Sequence, residues 1–119
     1  MIYGIGVDMT EISRVKKACQ KDSFLRKVFT EREAELYADK AAKLAANFAA
    51  KEAFSKALGT GVRGFTLRDV ELLRDELGKP YYVFSGKAAD IVQDQKLLAH
   101  VSVTDEGDSV IVFTVLETA

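Results

Sequence analysis

The chain has 119 residues and a formal net charge of −1 at pH 7, from 17 basic and 18 acidic side chains. It is 48% apolar and 29% charged, which is an ordinary globular composition and excludes collagen, a coiled coil, a disordered tail and a disulfide-rich miniprotein. The length fits one domain over residues 1–119, since domains usually hold about 100–200 residues.

The sequence also bears on location. No apolar run approaches the roughly 18–20 residues that a membrane-spanning helix requires. The first eight residues lack the basic lead of a secretion signal, and two glycines interrupt their apolar character. A single cysteine, Cys19, has no partner for an internal disulfide, which suits a reducing compartment. We therefore expect a cytoplasmic protein outside the membrane, with Cys19 as a structural thiol.

The N-terminal third predicts a strand and two short helices. Residues 2–8 are apolar with two glycines, which indicates a strand whose backbone approaches another element closely. Residues 11–20 have apolar side chains at helical spacing. Thr30 and Glu33 have the spacing of a capping box, which predicts a helix through about residue 39.

The alanine-rich segment 41–58 gives the strongest helical pattern. It contains no proline or glycine and is followed by Gly59, a residue type that commonly ends helices. Since alanine covers much of its surface, we expect this helix to pack closely on two or more sides. The next residues, 59–64, contain three glycines and predict a flexible loop.

The C-terminal half predicts four strands and one helix. The strands are expected at 69–74, 80–84, 98–104 and 109–117, and the helix at 85–95 with Ser85 as its cap. The last two strands form a β-hairpin at the C-terminal edge of the sheet. The predicted fold class is therefore α+β, with a mostly antiparallel sheet packed against a long central helix.

Three side chains share one stripe of the long helix: Phe48, Glu52 and Lys56, four positions apart. Spacing alone favours an ordinary surface ion pair between Glu52 and Lys56, worth roughly 0.3–0.5 kcal/mol. Because alanines occupy much of the remaining helix, the alternative is a stripe that faces a cleft or a subunit boundary.

Asp8 has two interpretations at the end of the first predicted strand. It either caps the following helix or joins a helix carboxylate in binding a hard cation. Mg²⁺ favours one or two carboxylates with phosphate oxygens and waters, and it would neutralise charge on a transferring phosphoryl group. The free amides of the 59–61 segment suit a phosphate, although such a segment more often only ends a helix.

Basic residues are concentrated between positions 14 and 32. Seven basic side chains face two acidic ones there, and the basic ones are Arg14, Lys16, Lys17, Lys21, Arg26, Lys27 and Arg32. Such a patch either solvates a helical face or binds an acidic partner. The overall charge near zero and the absence of a nucleic-acid-binding motif disfavour nucleic acid, so an acidic protein is the better hypothesis.

Several segments together resemble the 4′-phosphopantetheinyl transferases. Residues 5–8 (IGVD) and 48–57 (FAAKEAFSKA) are similar to the two signatures of that family, and 58–61 (LGTG) and 100–104 (HVSVT) resemble its small bacterial branch. The resemblance runs through the whole chain. It implies Mg²⁺-dependent transfer of the 4′-phosphopantetheine arm of coenzyme A to a serine of apo acyl carrier protein, with release of adenosine 3′,5′-bisphosphate, in fatty acid biosynthesis.

The resemblance also implies roles for individual residues. Asp8 and Glu52 match the Mg²⁺ ligands, and the serine proton would pass to a metal-positioned water or to Glu52. Lys56 matches a catalytic lysine that meets the pyrophosphate, while Lys51 would bind the coenzyme or support the site. Further coenzyme contacts are expected at Gly59, Thr60, Gly61 and His100, and docking of the carrier protein at Arg14, Lys17 and Lys21. The resemblance implies a homotrimer with active sites between subunits.

The sequence departs from the family's pattern at two places, and the Asp105 departure motivates an alternative function. Asp105 follows Thr104 where the family usually has a histidine near the coenzyme's phosphates, so we expect it to add repulsion instead of a donor. Ala46 and Asn47 stand where many relatives have Gly-Arg, so a cationic phosphate contact is expected to be missing. The alternative is a non-catalytic relative that binds coenzyme A or acyl carrier protein without transfer. By itself, His100 in a predicted strand is typical of a packed, hydrogen-bonded histidine.

Overall fold

A computed structural model describes residues 1–119. The chain forms five strands, five α-helices and one short 3-10 helix. In chain order they are β1 (Ile2–Glu11), α1 (Ile12–Ala18), α2 (Asp22–Val28), α3 (Glu31–Leu36), α4 (Ala41–Leu58), the 3-10 helix (Leu67–Asp69), β2 (Val70–Arg74), β3 (Pro80–Phe84), α5 (Gly86–Asp94), β4 (Leu97–Glu106) and β5 (Ser109–Thr118).

The strands form two antiparallel sheets. One has three strands in the order β1-β5-β4, and the other consists of β2 and β3. Helix α4 packs against the three-stranded sheet and also contacts β2. The predicted α+β class with an antiparallel sheet and a long helix is therefore confirmed. The C-terminal hairpin also forms, but of its two strands only β4 lies at an edge of the sheet. Strand β5 is central, because β1 pairs along its other side.

Helix α4 lies directly on the backbone of β1. A Cβ atom added at Gly4 would be 2.0 Å from the carbonyl oxygen of Ala57, and one at Gly6 would be 2.0 Å from that of Ala53. Only glycine permits this approach, which confirms the predicted close contact. Twelve of the eighteen residues of α4 are buried, so the expectation of packing on several sides is also confirmed.

The boundaries of the N-terminal elements differ from the prediction. Strand β1 continues to Glu11 instead of ending at Asp8, because residues 9–11 still pair with β5. The sequence pattern does not predict α2, a seven-residue helix of which only Val28 is buried. Such a short helix has little amphipathic signal, and packing against the 3-10 helix and the core gives it order.

The two predicted caps have different outcomes. Thr30 forms the predicted capping box, since its Oγ1 accepts from the amide of Glu33 and its own amide donates to the Glu33 carboxylate. The helix it begins ends at Leu36 rather than near residue 39. Ser85 occupies the N-cap position of α5, but its side chain makes no capping hydrogen bond.

The core lies between α4 and the sheets. It is built from aliphatic and aromatic side chains, and the largest fully buried apolar ones are Phe29, Phe54, Leu72, Leu116, Val70, Val110 and Val112. Cys19 is half-buried against this core, and burial raises the pKa of its thiol, which supports a structural role. None of the helices combines the length and apolar character needed to cross a membrane.

Candidate active site

Lys56, the exposed member of the stripe on α4, contacts strand β1. Its Nζ atom is 3.3 Å from Oδ1 of Asp8 and donates a hydrogen bond of 2.9 Å to the carbonyl oxygen of Val7. Its salt bridge is with Asp8, and no salt bridge forms between Lys56 and Glu52. The predicted helix-surface ion pair is therefore wrong, because β1 supplies a carboxylate within reach of the same ammonium group.

Asp8 lies inside β1 and is held on both carboxylate oxygens. Thr10 donates its hydroxyl to Oδ2 at 2.8 Å, while Lys56 approaches Oδ1. The N-cap of α1 is Glu11, so the interpretation of Asp8 as the cap of that helix is wrong. Thr10 was not predicted as a site residue. The sequence feature that could have indicated Thr10 is its two-residue spacing from Asp8. This spacing places both side chains on one face of a strand, provided that the strand continues past residue 8.

Of Asp8, Glu52 and Lys56, only Glu52 has a side chain without a hydrogen-bond or salt-bridge partner. It is half-buried and forms neither a side-chain hydrogen bond nor a salt bridge. Burial raises the pKa of its carboxyl group, the negative charge of Asp8 raises it further, and Lys56 opposes both effects. Two carboxylates that repel each other in a partly buried position are stabilised by a shared cation.

The donor set fits a magnesium ion of the substrate-bridging kind. No group of three or more histidine, cysteine, aspartate or glutamate side chains is arranged to hold a metal ion, so the chain provides no complete protein cage. Mg²⁺ is usually bound by one or two carboxylates, with substrate phosphates and waters completing the octahedron. Asp8 and Glu52 satisfy this requirement.

The glycine-rich segment begins where α4 ends. Gly59 stops the helix in the left-handed conformation, with φ of 83°, and Gly61 has φ of 68°. The backbone amides of Thr60 and Gly61 donate no hydrogen bond within the chain. Unpaired amides in such a turn can bind an anion by donating hydrogen bonds to it. The amides of Thr60 and Gly61 follow Lys56 by only a few residues.

Lys51 does not reach this site. Its side chain is fully buried, and its ammonium group pairs with Glu33 at 2.7 Å and donates to the carbonyl oxygens of Leu67 and Val70. Burial lowers the pKa of Lys51, while Glu33 counteracts this effect. Of the two predicted roles for Lys51, binding the coenzyme is wrong, because all three donors are directed to the protein interior. Supporting the site by fixing the segment after the glycine loop fits the contacts.

Asn47 is part of the same interior network. Its Nδ2 donates to Glu33 at 2.8 Å and to the carbonyl oxygen of Leu72 at 2.9 Å, and the residue is fully buried. The Asn47 side chain is held against β2 and is not directed towards Asp8 and Glu52, and the expected loss of a cationic phosphate contact at this position stays a prediction. Glu33, which joins Asn47 and Lys51, was not predicted beyond its capping role.

His100 lies on the opposite face of the three-stranded sheet from Asp8. It pairs with Val115, and Val115 pairs with Ile5, whereas Asp8 pairs with Val112. Side chains alternate between faces along a strand, so the odd-numbered and even-numbered positions of β5 point apart. His100 contacts Glu117 at 2.9 Å and is mostly exposed. Within one chain, the structure does not bring this predicted coenzyme contact to Asp8 and Glu52.

The basic region divides into paired and unpaired side chains. Arg26 forms a salt bridge with Asp22 on its own helix, and Arg32 forms one with Glu71. The remaining basic side chains are exposed and form no salt bridge or hydrogen bond within the chain; they are Arg14, Lys16, Lys17, Lys21 and Lys27. The three predicted docking residues are all in this unpaired group.

Comparisons with known proteins show which family the chain belongs to. The sequence model of one protein family, the 4′-phosphopantetheinyl transferase superfamily, matches residues 4–112 of this chain. A holo-[acyl-carrier-protein] synthase of Clostridium perfringens is 46% identical over 126 residues, covering 98% of this chain and 95% of the relative. One from Lachnoclostridium phytofermentans is 43% identical, covering 98% and 97%.

Solved structures of similar proteins have the same fold. The crystal structure of holo-[acyl-carrier-protein] synthase from Neisseria meningitidis is similar with a TM-score of 0.90 and 34% identity, over 99% of this chain and 100% of the other. A holo-(acyl-carrier-protein) synthase from Bacillus anthracis, solved in complex with CoA (3′,5′-ADP), has a TM-score of 0.83 and 31% identity, over 100% and 99%.

Proposed function

We infer that this chain, which belongs to the 4′-phosphopantetheinyl transferase superfamily, is an enzyme with holo-[acyl-carrier-protein] synthase activity. It transfers the 4′-phosphopantetheine arm of coenzyme A to a serine hydroxyl of apo acyl carrier protein and releases adenosine 3′,5′-bisphosphate. One observation carries this conclusion: a chain 46% identical to such a synthase over nearly its full length also combines Asp8, Glu52 and Lys56 at one accessible position.

We propose that Asp8 and Glu52 hold a Mg²⁺ ion during this reaction. When bound, the ion neutralises charge that develops on the pyrophosphate of the coenzyme. Thr10 and Lys56 fix the Asp8 carboxylate, so one ligand is oriented before substrate arrives. The Glu52 carboxylate has a free lone pair, and it accepts the proton of the attacking serine directly or through a water.

We propose that Lys56 and the glycine loop bind the phosphates of coenzyme A. The Lys56 side chain is 55% exposed, and its ammonium group has one carboxylate and one carbonyl oxygen as partners, so it retains a donor for the leaving bisphosphate. The unpaired amides of Thr60 and Gly61 add uncharged donors next to it. Together they stabilise negative charge on the departing group.

We propose that Arg14, Lys17 and Lys21 dock the carrier protein. They are exposed and have no acidic partner within the chain. An acidic protein surface supplies the missing counter-charges, and the electrostatic field of these cations steers it to the site.

We propose that the protein is a homotrimer with its active sites between subunits. The sheet face opposite α4 is apolar and exposed, with Ile5, Val7, Met9 and Phe113 between 43% and 67% accessible. Exposed apolar surface of this kind marks protein–protein interfaces. His100 lies on that face, so in an assembly it would meet coenzyme bound by a neighbouring copy. Light scattering after gel filtration tests the state, and a monomer would contradict it.

We place the reaction in the cytoplasm and in fatty acid biosynthesis. A reducing compartment agrees with the single cysteine and the absence of disulfides. No membrane or nucleic acid is proposed as a partner.

The alternative of a binding-only relative rests on Asp105, and its surroundings argue against it. Asp105 lines a groove together with Lys40, Lys43 and Arg74, so its negative charge lies among three cations rather than adding an isolated repulsion. Asp8, Glu52 and Lys56 do not line that groove. This arrangement favours the catalytic function over the alternative.

Intact-mass spectrometry tests the proposed function directly. Purified apo acyl carrier protein is incubated with the chain, coenzyme A and Mg²⁺, and a parallel sample contains EDTA. We expect the carrier to gain one phosphopantetheine only where free Mg²⁺ is present. Carrier that binds the chain but gains no mass, at saturating coenzyme A and Mg²⁺, would support the binding-only alternative instead.

A further inference from the structure

Helix α1 has no N-terminal cap from its own segment. Its N-cap residue, Glu11, makes no side-chain capping hydrogen bond, and its first turn contains no acidic residue. The first amides of any α-helix lack partners inside the helix. In a helix of seven residues such as this one, an uncapped end affects most of its length, since short helices are marginal on their own.

The missing cap comes from Asp108, 95 positions further along the chain. Its carboxylate accepts from the amide of Ser13 at 3.0 Å and from the Ser13 hydroxyl at 2.5 Å. Its carbonyl oxygen accepts from the amide of Ile12 at 2.8 Å. The negative charge also lies at the positive end of the helix dipole. Asp108 therefore performs in the tertiary structure what an N-cap residue normally does locally.

Strand register explains why Asp108 reaches this position. The last pair between β1 and β5 is Glu11 with Ser109, and α1 begins directly after Glu11. The residue before Ser109 is thus carried to the first turn of α1. Gly107, with φ of 59°, allows the tight turn between β4 and β5 that ends there.

Helix α1 bears two of the unpaired cations, Arg14 and Lys17, while Val15 is its only buried residue. The buried Val15 and the half-buried Ile12 hold α1 on the core, and the Asp108 cap is the contact that fixes its first turn. We propose that Asp108 is a positioning residue for docking of the carrier protein: by capping α1 from the β4–β5 turn, it holds Arg14 and Lys17 in place. This inference rests on the proposed transferase function.

The test compares three variants: Asp108→Ala, Asp108→Asn and Glu106→Ala. Glu106 lies in the same hairpin, is exposed and forms no side-chain hydrogen bond, so its variant removes an equal charge without touching α1. We expect Asp108→Ala to raise the KM for apo carrier protein by about three- to ten-fold, in line with the loss of a typical N-cap. The kcat and the KM for coenzyme A should stay unchanged.

An effect of charge alone would change the KM for carrier protein in the opposite direction. Removing an acidic residue makes the chain more attractive to an acidic partner, so Glu106→Ala should leave the KM for carrier protein unchanged or slightly lower. Asp108→Asn should stay close to the unmodified chain, because asparagine and aspartate are comparable N-cap residues. Hydrogen exchange at the amides of residues 12–18 should accelerate only in Asp108→Ala.

Two results would overturn the inference. One is an Asp108→Ala variant with unchanged KM for carrier protein, and the other is a KM for coenzyme A that rises in parallel. If the unmodified chain does not modify the carrier at all, the proposed function fails, and hydrogen exchange still decides the cap. Unchanged exchange in α1 of Asp108→Ala would then refute it.

Discussion

The ammonium group of Lys56 lies 3.3 Å from the carboxylate of Asp8, although 48 positions separate the two residues. A lysine in this position leaves Glu52, one turn earlier on α4, without a partner. The candidate site therefore contains one carboxylate that is held and one that is free. This asymmetry suits a site that receives its cation together with the substrate.

Removing either carboxylate should stop turnover without unfolding the chain. We expect Asp8→Asn and Glu52→Gln each to lower kcat by at least about 100-fold, because a charge that stabilises the transition state is lost. Carrier modification is followed by intact mass, and circular dichroism checks the fold. Glu35→Gln, an exposed glutamate of α3 without partners, serves as the control. A near-normal rate in either site variant would refute the metal assignment.

Arg14→Ala should weaken carrier-protein binding in a salt-dependent manner. An exposed, unpaired cation steers an acidic partner through a field that salt screens over about 8–10 Å. We expect the KM for carrier protein to rise several-fold at low salt, and the difference to shrink as ionic strength increases. Arg26→Ala is the matched control, because Arg26 is already paired with Asp22. Equal effects of the two variants would argue against specific docking through α1.

Gly6→Ala should destabilise the fold through steric overlap with α4. The new Cβ atom would meet the carbonyl oxygen of Ala53 at 2.0 Å, and overpacking of this kind typically costs about 1–3 kcal/mol or more. Gly78→Ala isolates the effect of backbone strain, because Gly78 has φ of 87° and nothing within 4 Å of its Cβ position. Urea denaturation should give a larger loss for Gly6→Ala. The reverse order would mean that the helix shifts freely.

Lys51→Met should be severely destabilising because it leaves Glu33 buried without its counter-charge. Losing one partner of a buried pair costs about 3–5 kcal/mol. The double variant Lys51→Met with Glu33→Gln should recover part of that stability, since no unpaired charge remains. For the folded fraction at low temperature, the KM for coenzyme A should be unchanged. A raised KM with normal stability would instead restore a binding role for Lys51.

The contribution of Glu71 to stability should disappear in acid. Burial alone would raise the pKa of this carboxyl group, but hydrogen bonds from Arg32 and Thr30 outweigh burial and lower it. A lowered pKa in the folded state means that the stabilisation is present above the ordinary glutamate pKa of 4.5 and is lost as the pH falls through the folded-state value. Denaturation of Glu71→Gln and the unmodified chain should therefore differ at pH 7 and converge below pH 4.5. A constant difference would exclude this linkage.

Local patterns predicted the elements that depend on neighbours in sequence. Helix α4 runs from Ala41 to Leu58 as predicted, and the capping box at Thr30 forms. Both depend on side chains within a few positions of each other. Strand β1 was predicted too short because pairing with β5, a partner about 100 residues away, decides where it ends.

In the candidate site too, local spacing predicted some features and distant contacts determined the others. The shared stripe of Glu52 and Lys56 followed from helical spacing, but the partner of Lys56 depended on how β1 lies against α4. Burial of Lys51 required knowledge of where Glu33 and β2 are placed. The face occupied by His100 depended on strand register. Spacing defines which residues share an element, and tertiary contacts decide which of them meet.

The contact of α4 with the two glycines of β1 has a consequence for ion selectivity. Because helix backbone rests on strand backbone, no layer of side chains separates the elements that bear Asp8 and Glu52. The distance between the two backbones at these residues is therefore set by main-chain contact, and only the rotamers of Asp8 and Glu52 themselves adjust the distance between the carboxylates. Mg²⁺ demands short and regular ligand distances, whereas Ca²⁺ accepts longer and looser ones. If Asp8 and Glu52 hold Mg²⁺ as proposed, a preference for the smaller ion would depend in part on Gly4 and Gly6, which contribute no ligand at all.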